Sequence, residues 1–163
     1  MKLRELMQAA ILFFSLLASQ SASAATATGS SALALAFLVA EASPFSSPAE
    51  KQAMAYLFGG RLDNVPANEK ISVKADSIVC RASNVDITSR SCELTFDSVK
   101  VNLTGREAHE LYATIVESGV KPEGGAGSSF TSLSDVECTI DPHEIAQRAG
   151  GGADCTFDPG IVR

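Results

Sequence analysis

The chain has 163 residues, with 19 acidic and 13 basic side chains and no tryptophan. Its formal net charge is −6 and it has no basic run, which argues against nucleic-acid binding, because neutralisation of phosphates supplies most of that affinity. Anionic membrane surfaces are disfavoured for the same reason. The length fits one domain after removal of a leader.

Residues 1–24 have the three parts of a secretory signal peptide. Lys2 and Arg4 make the start basic, residues 9–18 (AAILFFSLLA) are almost wholly apolar, and Ala22-Ser23-Ala24 is a cleavage site of the A-x-A type. The apolar run is shorter than the roughly 20 residues that cross a bilayer. We therefore expect cleavage after Ala24, export to the periplasm or the extracellular space, and no transmembrane helix in the mature chain.

The mature chain divides near residue 70 into two predicted parts. Residues 25–70 form an N-terminal helical segment and connector, and residues 71–163 form a disulfide-bonded α+β domain. The apolar stretch 32–40 (ALALAFLVA) predicts either a packed helix or an exposed arm. Ser47-Pro48-Ala49-Glu50 is a capping box with Pro at the first helical position, which predicts a further helix ending at Gly59-Gly60.

From residue 71 the hydrophobic period becomes two, which is typical of half-buried antiparallel strands. Alternation predicts strands over residues 71–76, 92–96, 99–103, 136–140 and 153–157. Only Asp97-Ser98 separates the second strand from the third, so these two should form a tight hairpin. Asp141-Pro142-His143-Glu144 resembles a helix cap and predicts a short helix before the last strand.

The clearest helical pattern follows the third strand. Thr104-Gly105-Arg106-Glu107 predicts a capping box, and Gly119 ends the helix. One apolar stripe runs along it at helical spacing: Ala108, Leu111, Tyr112, Ile115 and Val116. The predicted fold class is therefore α+β, a small antiparallel sheet of four to five strands. This one amphipathic helix is expected to be its main cover, with the N-terminal helical segment beside it.

Four cysteines remain after cleavage, and an even number in an exported chain predicts two disulfides. The chain has no CxxC pair and no zinc-site spacing. Each half contains a strand, a cysteine, an insertion, a second cysteine and then Thr-Phe-Asp, as a duplicated unit would. This short repeat favours the pairs Cys80–Cys92 and Cys138–Cys155 over the other two connectivities, with each pair on facing strands.

No sequence pattern predicts a catalytic, metal or cofactor site. The two histidines, His109 and His143, each adjoin a glutamate, but adjacent residues on a helix do not face one site. The HExxH, GxSxG and EF-hand spacings do not occur. We expect both histidines to be solvated residues on the surfaces of their helices.

Residues 121–129 (KPEGGAGSS) are expected to form a flexible loop. This loop, with any exposed part of the arm 32–40, is the candidate binding surface; its residues include Lys121, Pro122, Glu123, Ser129 and Phe130. The leading prediction is a non-catalytic binding or accessory protein of the cell envelope, a class that includes inhibitors of extracellular enzymes. Its partner would be a protein or an envelope component. The alternative is a small hydrolase or metal-dependent enzyme that uses His109 or His143 with nearby carboxylates.

Overall fold

A computed structural model describes residues 24–65, 69–83, 86, 89–147 and 151–160. The predicted signal peptide, except Ala24, lies outside the described residues. The described part is α+β, as predicted, with two disulfides and a single antiparallel sheet. That sheet has seven strands, so the prediction of four to five strands is too small.

The sheet order is β1-β7-β6-β2-β3-β4, with β5 paired to β6. The strands are β1 (Ala25–Thr28), β2 (Ile71–Ser83), β3 (Ser91–Phe96), β4 (Val99–Thr104), β5 (Glu123–Gly124), β6 (Ser128–Ile140) and β7 (Ala153–Pro159). The helices are α1 (Gly29–Ala42), α2 (Pro48–Phe58), α3 (Gly105–Glu117) and α4 (Pro142–Gln147), with a 3-10 turn at Leu62–Asn64.

The strand residues that the sequence did not predict show little regular alternation of apolar and polar side chains. β1 is Ala-Thr-Ala-Thr and leads directly into α1, and β5 has only two residues. In β2 and β6 the alternation breaks in mid-strand: the buried side chains step from Ala75 to Ile78 and from Leu133 to Val136. Because period two fails there, alternation detects only part of each long strand.

Two helices, rather than one, cover the sheet. α3 packs on β2, β3 and β4, while α1 packs on β1, β2, β6 and β7 and contacts α3 along its side. α2 packs on α1. α3 therefore shares the role of main cover with α1, which is apolar on nearly every side and buries Leu35 and Val39 completely. The residues from 25 onwards thus belong to the same core as the later strands.

The two halves of the chain repeat one arrangement, β1-α1-β2-β3 and β4-α3-β6-β7. If each strand is replaced by its counterpart in the other half (β1 by β4, β2 by β6 and β3 by β7), the sheet order is the same read backwards. A pseudo-twofold axis therefore passes between β2 and β6. Gly29 and Gly105 each join a strand to its helix without a loop, at φ 64° and 63°. Such values favour glycine. Thr28 lies opposite Asp154, one residue before Cys155. In the same way Thr104 lies opposite Ser91, one residue before Cys92.

The disulfides follow the same repeat. Cys80 lies opposite Cys92 on β2 and β3, and Cys138 lies opposite Cys155 on β6 and β7. All four cysteines are buried on the helix-covered face. These are the two pairs that the internal repeat in the sequence favours.

Two of the three predicted helix caps form. Ser47 and Glu50 make both hydrogen bonds of a capping box. The Asp141 carboxylate accepts the backbone N–H groups of His143 and Glu144. Thr104 is the N-cap of α3, but its side chain makes no cap hydrogen bond, so the capping box predicted there is wrong. The positive φ of Gly105 provides the turn into α3 instead.

Candidate functional site

The stretch predicted as a flexible loop forms a β-hairpin at one end of the sheet, in which β5 pairs with the start of β6 and the start of β6 also pairs with β2. Glu123 lies opposite Phe130 and Gly124 opposite Ser129, and the Gly125 N–H donates to the Ser128 carbonyl at 3.1 Å. The side chains of residues 121–128 are all exposed. We call residues 121–130 the hairpin. The loop is therefore shorter than predicted: residues 123 and 124 pair with residues 130 and 129, and residues 125–127 connect the two strands.

Gly124 determines whether the hairpin can close. Its φ is +133°, and a Cβ atom built on it would lie 2.3 Å from the Ser128 carbonyl oxygen. No side chain fits at that distance. Gly127, in the same turn, has nothing within 4 Å of the equivalent position. The two glycines therefore differ sharply in their tolerance of substitution.

The Tyr112 side chain on α3 contacts the base of the hairpin. The Tyr112 hydroxyl and the Ser129 Oγ are 2.8 Å apart. The Arg90 guanidinium lies 4.8 Å from the centre of the Tyr112 ring, a cation–π geometry, and also contacts Nδ1 of His109. Because arginine only donates hydrogen bonds, Nδ1 accepts in this contact. Of these contacts, the one between Tyr112 and Ser129 connects the hairpin to the middle of α3.

A cleft of about 310 Å³ opens at the base of the hairpin. One side of β6 pairs with β5 up to Phe130 and with β7 from Leu133 onwards. The cleft lies in the gap between these two partner strands. Thr131 and Ser132 form its floor, and Lys121 and Glu123 place opposite charges at its mouth. Thr131 is 2% exposed, and within the described ranges its hydroxyl has no hydrogen-bond partner. Clefts of this size and mixed polarity commonly accept a ligand or a partner's side chain.

The predicted binding residues are brought together in part. Lys121, Glu123 and Phe130 line the cleft, and Pro122 is exposed next to it. Ser129 is directed instead toward Tyr112. The sequence does not indicate Tyr112 or Thr131 as residues of this site: Tyr112 contacts the hairpin from α3, and Thr131 follows Phe130 on β6.

The two histidines have different surroundings. His109 is half-buried on α3 and contacts Arg90, so the expectation of a solvated side chain is not met there. His143 is exposed on α4, where its Nε2 lies 2.9 Å from the Gln147 amide nitrogen. In the part of the chain that the structure describes, no group of three His, Cys, Asp or Glu residues could hold a metal ion.

The pKa of Asp141, outside the hairpin, is lowered. The main cause is the hydrogen bond that its carboxylate accepts from the Glu144 backbone N–H, and Lys70 acts in the same direction, with its Nζ 3.4 Å away. Partial desolvation opposes these effects. On α3, the Glu110 carboxylate raises the pKa of Arg106 through a hydrogen bond of 2.7 Å.

The apolar arm 32–40 lies within α1. One side of it is buried in the core, and the other leaves Leu33, Phe37 and Leu38 half-buried at the surface. None of the described helices combines the length and the apolar composition needed to cross a membrane. Comparison of the chain with protein-family models, with curated proteins and with solved structures finds no match.

Proposed function

We propose that this chain is an exported, non-catalytic binding or accessory protein of the cell envelope, which presents the hairpin to a protein partner. The observation that carries the proposal is the hairpin itself: its exposed residues adjoin the ladder between β5 and β6, and the Tyr112 hydroxyl contacts Ser129 at its base. A preorganised loop loses less conformational entropy on binding than a flexible one. Inhibitors of extracellular enzymes belong to this class.

The cleft supports a protein partner. A partner that contacts the hairpin can insert one side chain between Lys121 and Glu123, over the floor made by Thr131. Burial of such an anchor in a pocket is where binding energy usually concentrates. The signal pattern in residues 1–24 and the two disulfides support export to the periplasm or the extracellular space.

The test is photocrosslinking in the cells that produce the protein. A photoreactive amino acid replaces Pro122 on the hairpin or, as the control, the exposed His143 on α4. We expect one discrete protein adduct from position 122 and none from position 143. Gly124→Ala should abolish the adduct because a Cβ atom there meets backbone, while Gly127→Ala should retain it. Absence of any adduct, or equal adducts from both positions, would contradict the proposal.

The enzyme alternative makes a different prediction about the captured partner. A hydrolase that uses His109 or His143 would alter its partner chemically, and replacement of the histidine would prevent the change. We expect the mass of the partner to be unchanged after incubation with the wild-type protein. A mass change that disappears with His109→Gln or His143→Gln would favour the enzyme.

A further inference from the structure

A groove runs along the outer surface between α1 and α3. It consists of a depression of about 480 Å³ that contains Phe37, Leu38 and Phe58, and a second one of about 240 Å³ that extends past Leu38 to Leu103 on β4. Phe58 is 52% exposed although its ring stacks on Phe37 at 4.7 Å. An exposed apolar patch with a polar rim usually marks an interaction site.

The two walls of the groove differ in chemistry although the two helices are equivalent in the repeat. Counted from Gly29 and Gly105, Ala34 corresponds to Glu110, and Leu38 corresponds to Thr114. The α1 wall is therefore apolar and the α3 wall is polar and acidic. A helix that is apolar on nearly every side, as α1 is, is normally covered on every side.

The rim of the groove is acidic. Glu41, Glu107, Glu110 and Glu117 line it, with Arg106 as the only residue of fixed positive charge among the lining residues described. Arg106 is paired with Glu110 at 2.7 Å. Over the described ranges the other three glutamates make no ion pair. The Lys51 Nζ lies 2.7 Å from the backbone carbonyl oxygen of Glu41, so the surplus of negative charge is on the α3 side of the rim. The complementary surface is apolar on one side and basic on the other.

We propose that this groove binds an amphipathic helix of a partner protein, with its apolar side on Phe37, Leu38 and Phe58 and its Lys or Arg residues against the glutamates of α3. A helix in an apolar groove is a common mode of protein recognition, and the acidic wall would set its orientation. The groove shares no lining residue with the cleft under the hairpin. This inference therefore goes beyond the proposed function and does not depend on it.

The test uses a fluorescein-labelled amphipathic peptide of leucine and lysine as the probe, and its scrambled isomer as the control of equal charge. Fluorescence anisotropy measures binding to the purified protein at physiological ionic strength. We expect the amphipathic peptide to bind at least about tenfold more tightly than the scrambled one, because only the former presents one apolar side. Phe58→Ser should weaken binding about tenfold, whereas Phe45→Ser, at a phenylalanine 61% exposed outside the groove, should not.

Charge variants keep the test decisive if Phe58→Ser disturbs α2. Glu107→Gln and Glu117→Gln change exposed side chains of α3 and should each weaken the amphipathic probe several-fold at low salt, with Glu144→Gln on α4 as the matched control. Gly124→Ala in the hairpin should leave probe binding unchanged. Equal binding of the scrambled peptide, no binding at all, or equal effects of groove and control variants would overturn the proposal.

Discussion

Ala32 and Ala108 hold equivalent positions, and the carbonyl oxygen of each lies 3.4 Å from a disulfide sulfur, that of Cys155 and Cys92 respectively. A disulfide sulfur has no proton to donate, so these are packing contacts. Both alanines are completely buried, and each follows its helix-starting glycine by three residues. The small side chain lets each helix rest directly on a disulfide of the sheet.

This equivalence separates the shared framework from what each half adds to it. The first half inserts α2 between its helix and its long strand, and the second half inserts the hairpin at the same place. Both proposed surfaces depend on these insertions: Phe58 of α2 lines the groove, and Glu123 of the hairpin lines the cleft. The repeated strands and helices form the common core, and the inserted segments form the surfaces that differ between the two halves.

Leu35 and Leu111 should be equally important for stability. Each lies six residues after its helix-starting glycine and is completely buried. Replacement of either by alanine removes buried methyl groups and leaves a cavity, so we expect Leu35→Ala and Leu111→Ala each to cost about 2–5 kcal/mol. Chemical denaturation measures both, with His143→Ala on exposed α4 expected to stay within about 0.5 kcal/mol of wild type. If only Leu111→Ala destabilised the protein, α1 would not be part of the shared core.

Each disulfide should contribute comparably to stability. The pairs are separated by 12 and 17 residues in the chain, and closing loops of that size stabilises by roughly 2–4 kcal/mol in the chain-entropy model. We expect the double variants Cys80→Ala/Cys92→Ala and Cys138→Ala/Cys155→Ala to lose similar amounts. Non-reducing peptide mapping of the wild type checks the connectivity, and a Cys80–Cys155 peptide would contradict it.

Asp141 should make stability depend on acidic pH. Its folded-state pKa is below the ordinary value because the carboxylate accepts the Glu144 backbone N–H and lies near Lys70. Its contribution is therefore complete above the unfolded pKa of about 4 and is lost as the pH falls through the folded pKa. We expect Asp141→Asn to reduce the loss of melting temperature that the wild type shows as the pH falls from about 5 to 3.

Nuclear magnetic resonance titration gives the direct measurement for this group. In the wild type the Asp141 carboxyl should titrate below the usual range for aspartate, and Lys70→Met should raise its pKa by removing the nearby ammonium group. Asp154→Asn, on the exposed side of β7, is the control for a generic loss of negative charge. An equal pH response in the two Asn variants would show that the cap has no special role.

The processed protein should begin at Ala25. The Ala22-Ser23-Ala24 site follows a short apolar run, and a signal peptidase recognises small residues at these positions. Intact-mass spectrometry of the protein recovered from the periplasm or the medium should give the mass of residues 25–163. Exported protein that retains Met1 would exclude this cleavage.

The sequence by itself determined the features that depend on residues close together in the chain. The Ser47 capping box, the two-residue turn at Asp97-Ser98 and the apolar stripe of α3 all form as predicted. Both disulfides join cysteines across local insertions, and each pair is the one that the internal repeat favours. Hydrogen bonds and side-chain periodicity within a few residues are sufficient to predict such elements.

Only the tertiary structure decided which distant segments meet. β1 joins the sheet by pairing with β7, more than 120 residues later in the chain, and Cys155 packs against Ala32 across 123 residues. Residues 128–130 of the hairpin pair with residues 81–83 of β2, a segment that lies far earlier in the chain. The groove exists only because α1 and α3 lie side by side. Burial between distant segments provides the energy of these contacts, and no local pattern in the sequence records it.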